Sequence, residues 1–353
     1  MKILIVQTAF IGDVILITPL IRETRKIFPS AIIDVLVTSG NQAILNNNPH
    51  INEILITDKK KVLDYVKTLF ILRKKAYDLA LTPHRSARTL TLLFLAQIKE
   101  RIGFNRDIYR HLLTCGVRHP KSPHKAEKNL GLLKPFLTDN YPDLKTLPEI
   151  LIDDKLNWYS ELFPDKKDYE DSSKYLYADN NIAIAPGSVW NTKRWSKENY
   201  VALSKLLKEK GYNLIFIGSK SEQELAQEII DRAGIDAINS CGSLSILQSA
   251  ALISQCKALI CNDSGALHIG NAVNTPVFAF FGPTVEKFGY YPYRPQDYVF
   301  EIDLECRPCG MHGHKKCPLG HHNCMKMIEP GIVADRILEK LNPNNTVDCF
   351  EDN

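Results

Sequence analysis

The chain has 353 residues, of which 44% are hydrophobic and 24% charged, and a formal net charge of +4. That length exceeds one ordinary core and suits two domains of roughly 150 to 180 residues each. No apolar run approaches the roughly 18 residues of a membrane span, and the modest, dispersed charge gives no reason to expect nucleic-acid binding.

The opening "MKILIVQTAFIGDVILITPLI" is apolar, but Gln7, Thr8 and Asp13 interrupt it and no small-residue cleavage site follows. Secretion is therefore not expected, and the cytoplasm is the expected compartment. Of nine cysteines, Cys115, Cys241, Cys256, Cys261 and Cys349 are scattered while Cys306, Cys309, Cys317 and Cys324 cluster. A secreted disulfide scaffold would be spaced differently.

In chain order, "KILIVQ", "IIDVLVT", "EILIT" and "DLALT" read as buried strands, with helical patterns at "DVILITPLIRETRKIF" and "VLDYVKTLFILRKK" between them. This β-α-β rhythm predicts an α/β domain over residues 1–163 with a parallel sheet covered on both faces. The polar, aperiodic "PDKKDYEDSSKYLYADN" predicts a linker at 164–180. A second βα series runs from "NIAIAPG" to "PVFAFFG", giving a domain at 181–330. Residues 331–353 are expected to form a terminal amphipathic helix and a frayed tail. Ligands of such sheets sit at the carboxyl ends of the strands.

Three strand ends carry polar groups. In "CNDSGALHIGNAVNTPVFAFFGPT", residues 261–284, Asn262-Asp263-Ser264-Gly265 stand at the mouth of a strand-to-helix crossover, where free N–H groups and the helix dipole favour an anion. Asp263 there is either part of a ligand site or a simple N-cap, and His268 is a packing residue or a ligand. In "APGSVWNTKRW", residues 185–195, Lys193 is expected to face the same edge as Asp263 and to meet a diphosphate leaving group; a solvated loop is the alternative. In "TAFIGDVILITP", Asp13 is expected in a turn opened by Gly12, as a helix cap or as a base.

Neither first crossover has G-x-G-x-x-G, which disfavours a dehydrogenase or an epimerase. The dense basic segment 99–128 is either a solvated face or the seat of an anionic partner. The spacing Cys306-x2-Cys309-x7-Cys317-x6-Cys324, with His314, His321 and His322 nearby, leaves structural Zn or Fe, reduced thiols and a disulfide as open alternatives.

Together, "GDVILITPLI", "APGSVWNTKRW", "NDSGALHIGNAVNTPVFAFFGPT" and "CRPCGMHGHKKCPLGHHNCM" resemble the lipopolysaccharide heptosyltransferase family, the ending being most similar to its type II members. The resemblance implies a GT-B glycosyltransferase, two Rossmann-like domains facing a cleft, with the acceptor on the first and an ADP-heptose donor on the second. It implies direct displacement with inversion and no catalytic metal. Asp13 then resembles the general base and Lys193 the diphosphate contact. Ser188, Thr192, Glu222, Ser243, Asp263, Ser264, Gly265 and His268 fall to the donor side. His84, Arg85, Arg88, Arg101 and Lys125 are expected to meet a lipid A-core acceptor at the inner face of the membrane.

The family often has two adjacent hydroxyl residues before the lysine, where this chain has Ser188-Val189; this weakens the second phosphate contact, with substitution by Thr192 and no substitution as open alternatives. Alternative functions are a related transferase using another nucleotide sugar or a protein acceptor, and a non-catalytic nucleotide-sugar binder.

Overall fold

A computed structural model describes residues 1–58, 61–84, 86–105, 107–118, 120, 122, 124–137 and 156–342. The chain divides into two compact units, Met1–Phe163 and Pro164–Asn353. Within the first, the strands are β1 (Lys2–Val6), β2 (Ile32–Thr38), β3 (Glu53–Thr57), β4 (Leu79–Thr82), β5 (Glu100–Phe104) and β6 (Cys115–Val117). Its helices are α1 (Ile11–Ile15), α2 (Thr18–Ile27), α3 (Val62–Lys75), α4 (Ala87–Leu95), α5 (Lys125–Leu130) and α6 (Lys134–Leu137).

The second unit contributes β7 (Asn181–Ala185), β8 (Asn213–Phe216), β9 (Ile238–Asn239), β10 (Ala258–Asn262), β11 (Val277–Phe281) and β12 (Tyr298–Glu301). Around them lie α7 (Lys166–Ser173), α8 (Lys197–Glu209), α9 (Gln223–Ala233), α10 (Ile246–Ser254), α11 (Gly265–Ala272), α12 (Asn323–Lys326) and α13 (Pro330–Leu341).

The sheets run β3-β2-β1-β4-β5-β6 and β12-β11-β10-β7-β8-β9, so the second repeats the doubly wound order of the first. Among the described residues all strand pairings are parallel; Ile3 faces Ile33 on one side and Leu79 on the other, and Cys261 lies between Ala185 and Ala279. The near-continuous apolar strands follow from this: Ile3 to Val6, Ile182 to Ile184 and Val277 to Phe280 are all inaccessible to solvent, as strands covered on both faces must be.

In the second unit the core joins Ile184, Phe216, Ile260 and Phe280 to Trp195 and Tyr200, with Met325 and Val333 closing one side. Trp195 stacks on Phe280 with centroids 4.2 Å apart, and its indole donates to the Ile328 carbonyl at 3.1 Å.

Two local expectations change. Residues 164–180 are not an irregular linker throughout, because Lys166–Ser173 is helical. Asp165 and Asp168 form a capping box there, and Gln248 of α10 donates to Asp171 at 2.9 Å, so polar caps and packing supply what periodicity does not. Asp13 stands not in an open turn but in the first turn of α1, directly after β1. The tail beyond residue 342 lies outside the described residues.

Candidate active site

In a doubly wound sheet, the two central strands send their connections to opposite faces and leave a crevice between their carboxyl ends. In the second unit those strands are β7 and β10, and their exits are Pro186–Lys193 and Asp263–Gly265. Asn262, the buried last residue of β10, ties the two exits together. Its amide donates to the carbonyls of Pro186 (2.9 Å) and Gly187 (3.1 Å), and its carbonyl accepts the Trp195 N–H (2.9 Å). Lys193 thereby meets Asp263, its Nζ donating to Oδ2 at 2.5 Å with both side chains at least 87% buried. The Thr284 hydroxyl donates to the same oxygen at 2.6 Å.

Asp263 is therefore not the N-cap of α11. That position belongs to Ser264, whose side chain makes no capping bond, so side chains leave the first α11 amides available to an anion. One turn on, His268 is 95% buried, and its Nδ1 has no hydrogen-bond partner among the described residues. Burial lowers its pKa to about 4; the Asp263 charge opposes that shift and Lys193 reinforces it. The imidazole is neutral at pH 7. Lys193 retains two further N–H donors beside this helix start, a combination suited to phosphate oxygens.

Glu222 reaches the same edge from the amino end of α9. Its Oε2 accepts from the Ser219 N–H (2.7 Å) and hydroxyl (2.8 Å). Its Oε1 lies so close to Gly187 that a Cβ there would come within 1.6 Å of it, so a larger residue at that turn would displace the Glu222 carboxylate. Ser188 is buried beside Lys193's turn, with Val189 exposed, and Ser243 is exposed in the loop after β9. The Thr192 hydroxyl is engaged by the cysteine-rich loop. Its Oγ1 accepts the His314 N–H at 2.7 Å and donates to the His314 carbonyl at 3.1 Å.

That loop braces the site from behind. His322, in a left-handed conformation with φ 57°, donates from Nε2 to the Thr192 carbonyl at 2.8 Å. The Arg307 guanidinium donates to the carbonyls of Gly282, Phe281 (3.2 Å) and Thr284 (3.0 Å) and to Glu301 Oε2 (2.7 Å). It thus fixes the turn carrying Thr284. Sequence reading placed Asn262 at the mouth without its tie between the two exits, and missed Thr284, Arg307 and this role of the histidines. Only the Asn262-Asp263 adjacency gave a local signal; the others are joined to the site by long-range contacts.

Of the three alternatives for the cysteine loop, the Zn or Fe site is not supported. Among the described residues no three His, Cys, Asp or Glu side chains are grouped to hold a metal. Cys324 is buried against Gly282, and the Cys309 thiol donates to the Cys306 carbonyl. Burial pushes the Cys317 thiol up, but N–H groups of His322, Leu319, Gly320 and His321 outweigh it and hold it below the ordinary thiol range.

In the first unit, the crevice lies between β1 and β4. Asp13 and His84, both half-buried, stand just beyond these strands, and exposed Arg88 is in the first turn of α4. Lys125 opens α5 with its ammonium 5.9 Å from the centroid of Phe104, the last residue of β5. Arg101 is placed differently. Near the amino end of β5, it donates to the carbonyls of Leu112 (2.9 Å) and Ile98 (2.5 Å) and lies over Phe94, a structural engagement away from the carboxyl edge. Arg85 lies outside the described residues.

Twin doubly wound units of one strand order are the architecture of the GT-B fold of glycosyltransferases. The family model for glycosyltransferase family 9 (heptosyltransferase) matches residues 67–321, and the chain belongs to that family. It is 27% identical to lipopolysaccharide heptosyltransferase 2 of Escherichia coli K12, over 97% of this chain and 98% of that one. The solved structure of a family 9 glycosyltransferase from Veillonella parvula superposes with a TM-score of 0.83 at 21% identity, covering 97% of each chain. That of E. coli ADP-heptose LPS heptosyltransferase II gives 0.78 at 25% identity, over 98% of this chain and all of that one.

Proposed function

We propose that this enzyme transfers a heptose from ADP-heptose to the inner core of lipopolysaccharide by a single inverting displacement. The observation that carries the reading is the buried Lys193–Asp263–Thr284 cluster beside the start of α11. Asp263 and Thr284 aim the ammonium, whose remaining protons meet the donor's diphosphate together with the α11 amides. Ser188, Glu222, Ser243, Ser264 and Gly265 line the same sheet edge and complete the donor side. The acceptor, a lipid A-core saccharide, belongs to the first unit, with His84, Arg88 and Lys125 meeting its anionic groups.

In the reaction, Asp13 removes the proton from an acceptor hydroxyl while that oxygen attacks the donor's anomeric carbon. The bond from that carbon to the diphosphate breaks, and its electron pair leaves with ADP. Lys193 and the helix start stabilise the charge on the departing oxygen, and the neutral His268 adds no charge of its own. No metal is needed in this scheme because the ammonium and the helix dipole supply the positive field.

Relatives named for lipopolysaccharide heptosyl transfer support the donor and acceptor classes. Among the described residues no helix is long and apolar enough to cross a membrane, and a cytoplasmic enzyme working at the inner face of the inner membrane fits such an acceptor. The deciding experiment incubates the protein with ADP-heptose and a set of truncated lipopolysaccharide acceptors. One acceptor should gain the mass of a single heptose, and the Asp13→Ala protein should form that product at least about a hundredfold more slowly. Transfer at the unaltered rate by Asp13→Ala, or no gain with any acceptor, defeats the reading.

A further inference from the structure

Helix α3 presents an unusual face. A helix on a globular unit normally turns its apolar stripe inward, yet on α3 the fully buried side chains are only Thr68 and Leu72. Val62, Leu63 and Phe70 are 78%, 75% and 61% exposed, and Val66 is exposed with them. At 3.6 residues per turn these four fall within about 100° of arc. Lys67 and Lys74, both exposed, border the stripe, and exposed Arg73 closes its carboxyl end while donating to the Leu95 carbonyl at 2.9 Å. Leu95 and Phe94 of α4, also exposed, extend the apolar surface past Arg73.

We infer that this face of α3 docks the enzyme on an anionic lipid surface. An apolar stripe edged by cations is the pattern of a helix lying in a bilayer interface, its apolar side chains reaching the acyl boundary and its cations the headgroups. Charge selects this occupant over a second copy of the chain. A two-fold contact would set the cationic patch of Lys67, Arg73 and Lys74 against the same patch of the second copy, whereas an anionic leaflet complements it. The inference rests on the reading above, since a lipid-anchored acceptor has to be met at a membrane, and it names the surface that meets it.

The test sediments the full-length protein with vesicles of phosphatidylcholine alone and of phosphatidylcholine mixed with phosphatidylglycerol. The protein should pellet with the anionic vesicles, less so in high salt. Leu63→Glu/Phe70→Glu and Lys67→Glu/Lys74→Glu should each reduce binding by about tenfold or more. Transfer to a lipid-free core oligosaccharide should stay at the unaltered rate in both variants, which shows that they fold. Failure to bind anionic vesicles, equal binding by the variants, or equal binding to neutral vesicles overturns the inference. So does a concentration-dependent dimer that both variants abolish, which would assign the face to a second copy. Vesicle binding without transfer to any acceptor would sink the proposed reaction alone; transfer without vesicle binding would sink the docking surface alone.

Discussion

The two crevices occupy equivalent places in two sheets of one strand order, yet they are built differently. In the second unit, Asp263, His268, Thr192 and Thr284 are buried, and bonds from His314 and His322 brace the Lys193 turn. In the first, Asp13 and His84 are half-buried and Arg88 is exposed on a helix start. A diphosphate is the same in every turnover and rewards a fixed, partly desolvated cation. A branched saccharide needs a more open edge with groups that solvent reaches. The common fold supplies the location, and the side chains at each strand end decide the chemistry.

The sharpest way to break this comparison is to remove one group from each crevice. Asp13→Ala should lower kcat by about 10²- to 10⁴-fold, the usual range for general-base catalysis, while ADP affinity measured by calorimetry stays constant. Lys193→Ala should lower kcat by roughly 10²- to 10³-fold and weaken ADP binding as well. If both variants lose ADP affinity equally, the division of labour between the units is wrong.

His268 offers a test through stability. Its folded pKa of about 4 lies below the ordinary 6.5, so between those values the unfolded chain takes up a proton that the folded one refuses. The stability associated with the neutral ring is full above pH 6.5 and is lost as pH falls towards 4, on the order of 3 kcal/mol in all. Denaturant titrations at pH 7 and pH 4.5 should show a smaller pH-dependent loss in His268→Gln than in the unaltered protein. An unchanged slope would mean that the ring titrates normally. The mildest change is Thr284→Val, which removes one of two donors to Asp263 Oδ2; it should raise the ADP dissociation constant by about tenfold and leave the acceptor KM unaltered.

Much of the architecture was legible because buried parallel strands are runs of β-branched and aliphatic residues that any window along the chain detects. Lys193 and Asp263 were legible too, as polar groups at strand ends, but their direct pairing across 70 residues was not, and neither was the choice between cap and ion pair for Asp263. Helix α7 escaped notice because it is polar throughout and announces itself only by Asp165 and Asp168 at capping positions. Arg307 and His322 were invisible as site residues for a different reason. Their acceptors lie up to 130 residues away, and no local pattern records such a contact. The loop holding them was read by its cysteines, whereas its arginine and histidines make the long-range bonds to the site.

The clasp of His314 and His322 on Thr192 also sets an order of events during synthesis. All strands but β12 have been translated once Phe281 is added, and the Lys193 turn is complete long before that. Its rear support nevertheless arrives only when residues 307 to 322 have left the ribosome. A nascent chain stalled shortly after β11 would carry the lysine and the aspartate without the brace that aims them, so full nucleotide affinity should appear only once residue 322 has emerged.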